Sequence, residues 1–221
     1  NKKFFGFTRL CINGIDETGN QPFIVSDVAL ICNGEIYNYE ELINKYGFKG
    51  EYKSRSDCEI VIHMYKKFGI HRTLNELDGV FSFVLYDTIN DKVFAARDQL
   101  GIRSLFYSTD ENKEITIASE MKAMNLNSYI SQFPPGSYLD LNTGILYKYA
   151  PFRYLKAGKG TGYEYKEDVT RNIEKNIRKL LTSAVNKRQM SDRPVGCLLS
   201  GGLDSTLVTA LVSKHYPEFG L

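Results

Sequence analysis

Apolar and polar positions alternate in short runs through the first two thirds of the 221-residue chain. Runs rich in β-branched and aromatic residues, bounded by turn formers, predict strands over residues 5–12, 28–32, 80–87, 92–97 and 115–119. A hairpin of 137–141 with 145–149 is predicted around the turn Asn142-Thr143-Gly144. The arrangement is expected to be mainly antiparallel. Helical spacing interrupts the alternation twice. Residues 40–46 predict a helix with Asn38 as cap and Gly47 as stop, and 58–68 a second with Asp57 as cap and Gly69 as stop. In the second, Ile60, Val61, Met64, Tyr65 and Phe68 share a face. Lys156-Ala157-Gly158-Lys159-Gly160-Thr161-Gly162 then reads as a flexible connector within 154–165. Past it, Ile173, Ile177, Leu180, Leu181, Ala184 and Val185 recur at helical spacing, Pro194 ends the pattern, and an apolar run at 195–199 predicts a strand before a helix at 206–212. The expected organisation is one domain over 1–153, a linker over 154–165 and the beginning of a second domain over 166–221. A chain that starts at Asn1 and ends inside an unfinished helix–strand–helix unit is expected to be a fragment.

Composition narrows the class. Hydrophobic residues make up 43% and charged residues 24%, and 28 basic side chains nearly balance 26 acidic ones. That balance implies neither nucleic acid nor an anionic membrane as partner. No apolar run approaches the length that spans a bilayer and no secretion signal is visible, so a soluble cytoplasmic protein is expected. Cys11, Cys32, Cys58 and Cys197 are far apart, form no CxxC pair and mostly sit in apolar stretches, which reads as buried thiols. His63, His71 and His215 have no metal-ligand spacing.

The most specific chemical signal is Val195-Gly196-Cys197-Leu198-Leu199-Ser200-Gly201-Gly202-Leu203-Asp204-Ser205, an apolar run entering a Ser/Gly turn and then a helix. Glycines let successive backbone N–H groups converge on an anion, serine hydroxyls add donors, and the helix offers its positive end. The lysine of a Walker loop is missing, so the chemistry suggested is pyrophosphate binding. Asp204 would repel phosphates unless a cation bridged them, which points to Mg²⁺.

A second signal is Cys32-Asn33-Gly34-Glu35-Ile36-Tyr37-Asn38. Alone, Asn-Gly reads as a turn. Its neighbours are Gly6-Phe7-Thr8-Arg9-Leu10-Cys11-Ile12-Asn13 upstream and Ser56-Asp57-Cys58-Glu59 downstream. Arg9 can hold an α-carboxylate, Asp57 an α-ammonium, and the Asn33 side chain with the Gly34 N–H can form an oxyanion hole. Seen singly, Arg9 and Asp57 would read as solvated surface charges.

GFTRL, NGEIYN, SDCE, LDGVFSFVLYD, RDQLGIRSLFY, ASEMKA, FPPGSY and LLSGGLDS, in this order, resemble the asparagine synthetase B family. The resemblance implies an α+β, Ntn-hydrolase-type αββα sandwich that works as a class II glutaminase, followed by the beginning of an α/β Rossmann-like ATP pyrophosphatase domain. It implies that Arg9, Leu10, Cys11, Ile12, Asn13, Asn33, Gly34, Glu35 and Asp57 contact glutamine, with Asn33 and Gly34 stabilising the oxyanion. Leu198, Ser200, Gly201, Gly202, Asp204 and Ser205 would contact ATP and pyrophosphate, with Asp204 a ligand of Mg²⁺. The reaction implied joins glutamine hydrolysis to adenylation of aspartate by ATP, with ammonia displacing AMP to give asparagine. Small-molecule substrates are therefore the expected partners, and a homodimer is compatible with the chain. Two departures stand out. The family's nucleophile, a cysteine at the mature N-terminus whose own amine helps as base, and the Arg-His-Arg-Gly-Pro-Asp stretch after it do not occur here, and Cys11 and Cys32 cannot replace it because their nitrogens are acylated. Ser104 stands where the family usually has proline. Alternatives are a related amidotransferase acting on another carboxylate, and a non-catalytic binding protein.

Overall fold

The computed structural model describes residues 3–125, 128–150, 167–214 and 216, without the side chains of 167–170. The chain divides into two compact units, Asn1–Arg153 and Tyr154–Leu221. The predicted linker lies outside the described residues.

The first unit is built on strand β2, Val28–Ile36, which pairs antiparallel with β3, Gly79–Asp87, from Val28↔Asp87 to Ile36↔Gly79. β1, Phe23–Val25, covers only the first three residues of β2's other edge. β4 (Lys92–Arg97), β8 (Ser137–Asp140) and β9 (Ile145–Lys148) complete a six-stranded antiparallel sheet in the order β1-β2-β3-β4-β8-β9. A second sheet has β5 (Phe106–Thr109) between β6 (Ile115–Ala118) and β7 (Ile130–Gln132).

Period-two alternation decides what each face of the large sheet covers. Leu30, Cys32 and Ile36 of β2, Phe81, Phe83 and Leu85 of β3, and Phe94 and Ala96 of β4 join one buried cluster with Leu42, Ile60, Val61, Met64 and Leu74 of the helices α1 (Tyr39–Tyr46) and α2 (Ile60–Glu76). On the opposite face Ala95 and Leu139 pack with Leu105 and Phe133, flanked by Val84, Tyr107 and Ile117, which binds the two sheets together. Helices, sheet and sheet are three layers of the expected αββα sandwich.

Most predicted elements recur within a residue or two, and the strand expected at 28–32 runs on to Ile36. Several expectations need correction. Residues 5–12 form no strand, because no neighbouring strand accepts their backbone groups, and Phe4 and Leu10 are exposed. The short strands β1, β5 and β7 were not foreseen; three or four residues are too few to show a period of two. Asn38 precedes α1 but its side chain does not cap it. It donates from Nδ2 to the Glu76 carbonyl at 2.8 Å and accepts the Asp78 N–H at 3.0 Å, tying the start of α1 to the end of α2. Ser56, not Asp57, caps the 3₁₀ turn Asp57–Glu59 that leads into α2. Gly69 does not stop α2 but kinks it, at φ 74°, and the helix resumes to Glu76. The first turn of α2 is also buried all round, Ile62 and His63 included, instead of along one stripe.

In the second unit, helices α3 (Glu167–Lys187) and α4 (Leu203–Ser213) touch, and Val185 and Val212 are buried. The run at 195–199 is not a strand. No described strand lies beside it to pair with, and Leu198 and Leu199 are exposed. Cys197, expected to be buried, is exposed as well, and Cys11 is half-buried.

The Arg-Asp pair of RDQLGIRSLFY shapes a turn between the sheets. Buried Arg97 donates to the carbonyls of Arg103, Gly101 and Phe133 at 2.7, 2.7 and 2.6 Å. Buried Asp98 accepts the N–H groups of Phe81, Leu100, Ile102 and Arg103 at 3.0–3.2 Å. Asp98→Ala strands all four donors, so denaturant unfolding should show a loss of more than about 2 kcal/mol, with Asp98→Asn between it and the native protein. A loss below about 0.5 kcal/mol, typical of an unimportant surface site, would mean that the carboxylate does not hold the turn.

Candidate active site

Because β1 stops early, residues 31–36 of β2 present a free edge. N–H groups alternate in direction along a strand, and Tyr37 continues the pairing with β3 by donating to the Asp78 carbonyl. The N–H groups of Cys32, Gly34 and Ile36 therefore point the other way. Gln21 takes the first, its side-chain amide accepting the Cys32 N–H at 2.6 Å and donating to the Cys32 carbonyl at 3.0 Å, as a neighbouring strand would. Asp57 takes the third, accepting the Ile36 N–H at 2.6 Å. Between them the Gly34 N–H has no partner among the described residues. Position 34 tolerates only glycine, since a Cβ there would lie 2.3 Å from the Val80 carbonyl oxygen and 2.6 Å from the Phe81 Cα. The Asn33 side chain, one residue earlier and on the sheet face that covers β5 and β6, donates to the Ser119 hydroxyl at 3.3 Å. Glu35, on the same face, meets Arg103 at 3.5 Å.

Asp57 is held in place by its own loop. The Tyr52 hydroxyl donates to the carbonyls of Ser56 and Asp57 at 2.6 and 3.2 Å. Buried Glu59 accepts the N–H groups of Lys53 and Ser54 at 3.0 and 2.6 Å and meets His63 at 3.0 Å. Burial alone would raise the Glu59 pKa, but the His63, Ser54 and Lys53 bonds outweigh it and hold the carboxyl below its ordinary range.

Burial dominates at Asp57, which is pushed up to about 6 despite the Ile36 N–H, with the nearby Glu35 charge adding to the rise. The Asn13 side chain beside it works in the opposite direction. The buried Asn13 amide nitrogen nonetheless has no partner in hydrogen-bond geometry among the described residues.

Arg9 lies on the loop that leads to Asn13, and its guanidinium is enclosed by that loop. Nη1 donates to the Asp16 carbonyl and the Asn20 side chain at 2.9 and 3.1 Å, and Nη2 to the carbonyls of Asn13, at 3.3 Å, and Gly14. Gly14, at φ 63°, docks the loop on the Asp57 turn, where a Cβ would lie 2.7 Å from the Ser56 nitrogen. Arg9 thus places Asn13 and Gly14 instead of presenting an open fork. Leu10 is exposed at the loop and Cys11 and Ile12 are half-buried. Sequence reasoning missed Gln21, Tyr52, Ser119 and Arg103 as parts of this region, since their roles depend on which backbone groups the fold leaves open.

Leu198, Ser200, Gly201, Gly202, Asp204 and Ser205 fall together at the start of α4, described within the second unit alone. Gly202 is the N-cap and Gly201 has φ 83°, a conformation natural to glycine. The Ser200 and Ser205 hydroxyls lie 3.0 Å apart, and Ser205 donates to the Gly202 carbonyl at 3.1 Å. Asp204 stands in the first helical turn. Among the described residues no three acidic, cysteine or histidine side chains gather to hold a metal.

The Asp57 pKa makes a stability prediction. Its folded value, about 6, lies above the ordinary 3.8, so folding favours the protonated acid. That contribution is complete below pH 3.8 and disappears as the pH rises through 6. Thermal unfolding of the native protein should therefore lose stability between these values relative to Asp57→Asn, which carries no proton to release. Parallel curves for the two proteins would contradict the buried-carboxylate assignment.

Both units resemble known proteins. A family model described as glutamine amidotransferase domain matches residues 1–154, and one described as asparagine synthase matches 176–219. A probable glutamine-hydrolysing asparagine synthetase of Acanthamoeba polyphaga mimivirus is 37% identical over 96% of this chain and 41% of its own length. The glutamine-hydrolysing asparagine synthetase of Gallus gallus is 38% identical over 98% of this chain and 42% of its own length. The chain thus spans about two fifths of the length of the curated relatives it matches. The solved glutamine phosphoribosylpyrophosphate amidotransferase of B. subtilis shares the fold, with a TM-score of 0.54 and 22% identity over 61% of this chain and 33% of that one. With its family model covering the free β2 edge, the Asp57 turn and the loop of Arg9, the chain belongs to the glutamine amidotransferase domain family.

Proposed function

We propose that this chain supplies the glutamine site and the beginning of the ATP site of a glutamine-dependent asparagine synthetase. The observation that carries the reading is the Gly34 backbone donor, without a partner among the described residues, flanked by capped neighbours and adjacent to the Asn33 carboxamide. Two such donors are what a tetrahedral oxyanion needs, since they meet charge that develops only during reaction. Asp57, ionised above pH 6, holds the α-ammonium of glutamine. The orphaned Asn13 amide offers a donor to the α-carboxylate, and Arg9 acts by presenting that loop. Leu10, Cys11, Ile12 and Glu35 line the same site. The nucleophile is the N-terminal cysteine that the family resemblance implies.

In the second unit the glycine turn, the two serines and the N-terminus of α4 fit a pyrophosphate group. Asp204, in the first turn of α4, would hold Mg²⁺ through its carboxylate. The cation would supply charge that neutralises the phosphates. Ser200, Ser205 and the loop backbone bind and orient ATP, with Leu198 beside them. The side-chain carboxylate of aspartate is adenylated by ATP with release of pyrophosphate, and ammonia from glutamine then displaces AMP to give asparagine. The domains proposed are 1–153, a linker over 154–165 and 166–221, in a soluble cytoplasmic enzyme compatible with a homodimer; among the described residues no helix is long and apolar enough to cross a membrane.

In the full-length enzyme, Asn33→Ala should lower glutaminase kcat by roughly a hundredfold to a thousandfold with little change in KM. A raised KM at unchanged kcat would make Asn33 a ground-state contact. Glutamine binding should weaken as the pH falls through 6, and Asp57→Asn should abolish that dependence. Asp204→Asn should abolish aspartate-dependent exchange of pyrophosphate with ATP while glutamine hydrolysis continues. Normal exchange would rule out the metal role.

A further inference from the structure

An oxyanion donor works only if its N–H is already aimed when charge develops, and a carboxamide can rotate its nitrogen and oxygen into each other's places. Asn33 needs a partner that holds its carboxamide in one rotation. The structure offers one candidate: Nδ2 donates to the Ser119 hydroxyl at 3.3 Å. That bond occupies one of the two amide hydrogens. It turns the nitrogen toward the second sheet's end of the site and leaves the other hydrogen for an oxyanion. A hydroxyl can donate as well as accept, so what the bond fixes is the rotation of the carboxamide, and with Nδ2 as its donor one amide hydrogen stays available to the oxyanion.

Ser119 follows β6, on the other sheet, and is itself anchored. The Ser104 hydroxyl donates to the Ser119 carbonyl at 2.8 Å. Buried Ser82, the direct cross-strand partner of Asn33 on β3, donates from its hydroxyl to the Ser104 carbonyl at 3.2 Å. Asn33, Ser82, Ser104 and Ser119 therefore close a circuit that starts and ends on one pair of neighbouring strand residues and passes through both sheets. The segment carrying Ser104 is fixed in turn by Arg97 and Asp98. Ser104 replaces the proline that the resembled family usually has, and proline has no hydroxyl to give; this departure supplies the middle link.

We propose that Ser119 is a positioning residue for glutamine hydrolysis, orienting the Asn33 carboxamide, with Ser104 holding Ser119 in register. The proposal rests on the reading of Asn33 as an oxyanion donor. Ser119 touches neither substrate nor reacting atoms, so its loss should appear in kcat and not in glutamine affinity.

The test is steady-state glutaminase kinetics of the full-length enzyme. Ser119→Ala should lower kcat on the order of tenfold, the scale of a small misalignment of a catalytic group, with KM for glutamine unchanged. Ser119→Thr, which keeps the hydroxyl, should retain most of the activity, and unchanged thermal unfolding would separate the effect from misfolding. The decisive measurement is the pair: in an Asn33→Ala background, Ser119→Ala should cost nothing further, because no carboxamide remains to orient. Ser104→Ala should move kcat in the same direction and less, without adding to Ser119→Ala. Full kcat in Ser119→Ala, or losses that multiply in the double variant, would overturn the positioning role while leaving the oxyanion reading intact. Full kcat in Asn33→Ala would overturn both.

Discussion

Unequal pairing along β2 is the constraint from which the rest of the first unit follows. The strand is matched with β3 over nine residues on one side and with β1 over three on the other. A sheet edge inside a protein must have its backbone groups satisfied by something, since an unpaired buried N–H costs about as much as a lost hydrogen bond. Here side chains replace the missing strand, a glutamine at one donor and an aspartate at another. The one donor they skip is in the middle. The polar character of the site is therefore a property of backbone topology before it is a property of any side chain.

The loops around that edge are held by many oriented donors and acceptors. Arg9 gathers the carbonyls of its loop, Glu59 the amides of the turn before Asp57, and Asp98 the amides between the sheets. Each is a charged group inside a ring of backbone partners, bonds that are stronger than neutral ones and directional. The apolar cores lie on the two faces of the large sheet and set its layers, while the charged rings set the loop positions to within the tolerance that chemistry needs. The two kinds of interaction divide the labour. Packing makes the platform, and enclosed charges fix what stands on it.

Much of the platform was legible in the chain. Long alternating runs such as 80–87 and 92–97 have enough periods to identify themselves, and their strands match β3 and β4 closely. The failures among the strands share one cause. Residues 5–12 have strand composition and no partner, residues 195–199 likewise, and three residues of β1 are a strand only because β2 is there to receive them. Pairing is a non-local property that local pattern cannot report. The site divides in the same way. Asn33, Gly34 and Asp57 were readable from residue type and order, and the structure brings them to one edge. The embrace of Arg9 by its loop, the strand-like role of Gln21 and the serine circuit were not readable, because each depends on groups far apart in sequence, such as Asn33 and Ser119, meeting across two sheets.

Gly34 carries two obligations at once. Its backbone supplies the open donor, and its missing side chain lets β3 approach, with the Val80 carbonyl where any Cβ would stand. A chain of this family that lost its chemistry would still have to keep this glycine to fold. The residue therefore cannot drift when the activity is no longer selected, and its presence in a distant homologue reports that the sheet is intact, not that the enzyme works. Asn33 is under no such steric bond, so of the two neighbours it is the one whose loss would date the end of catalysis.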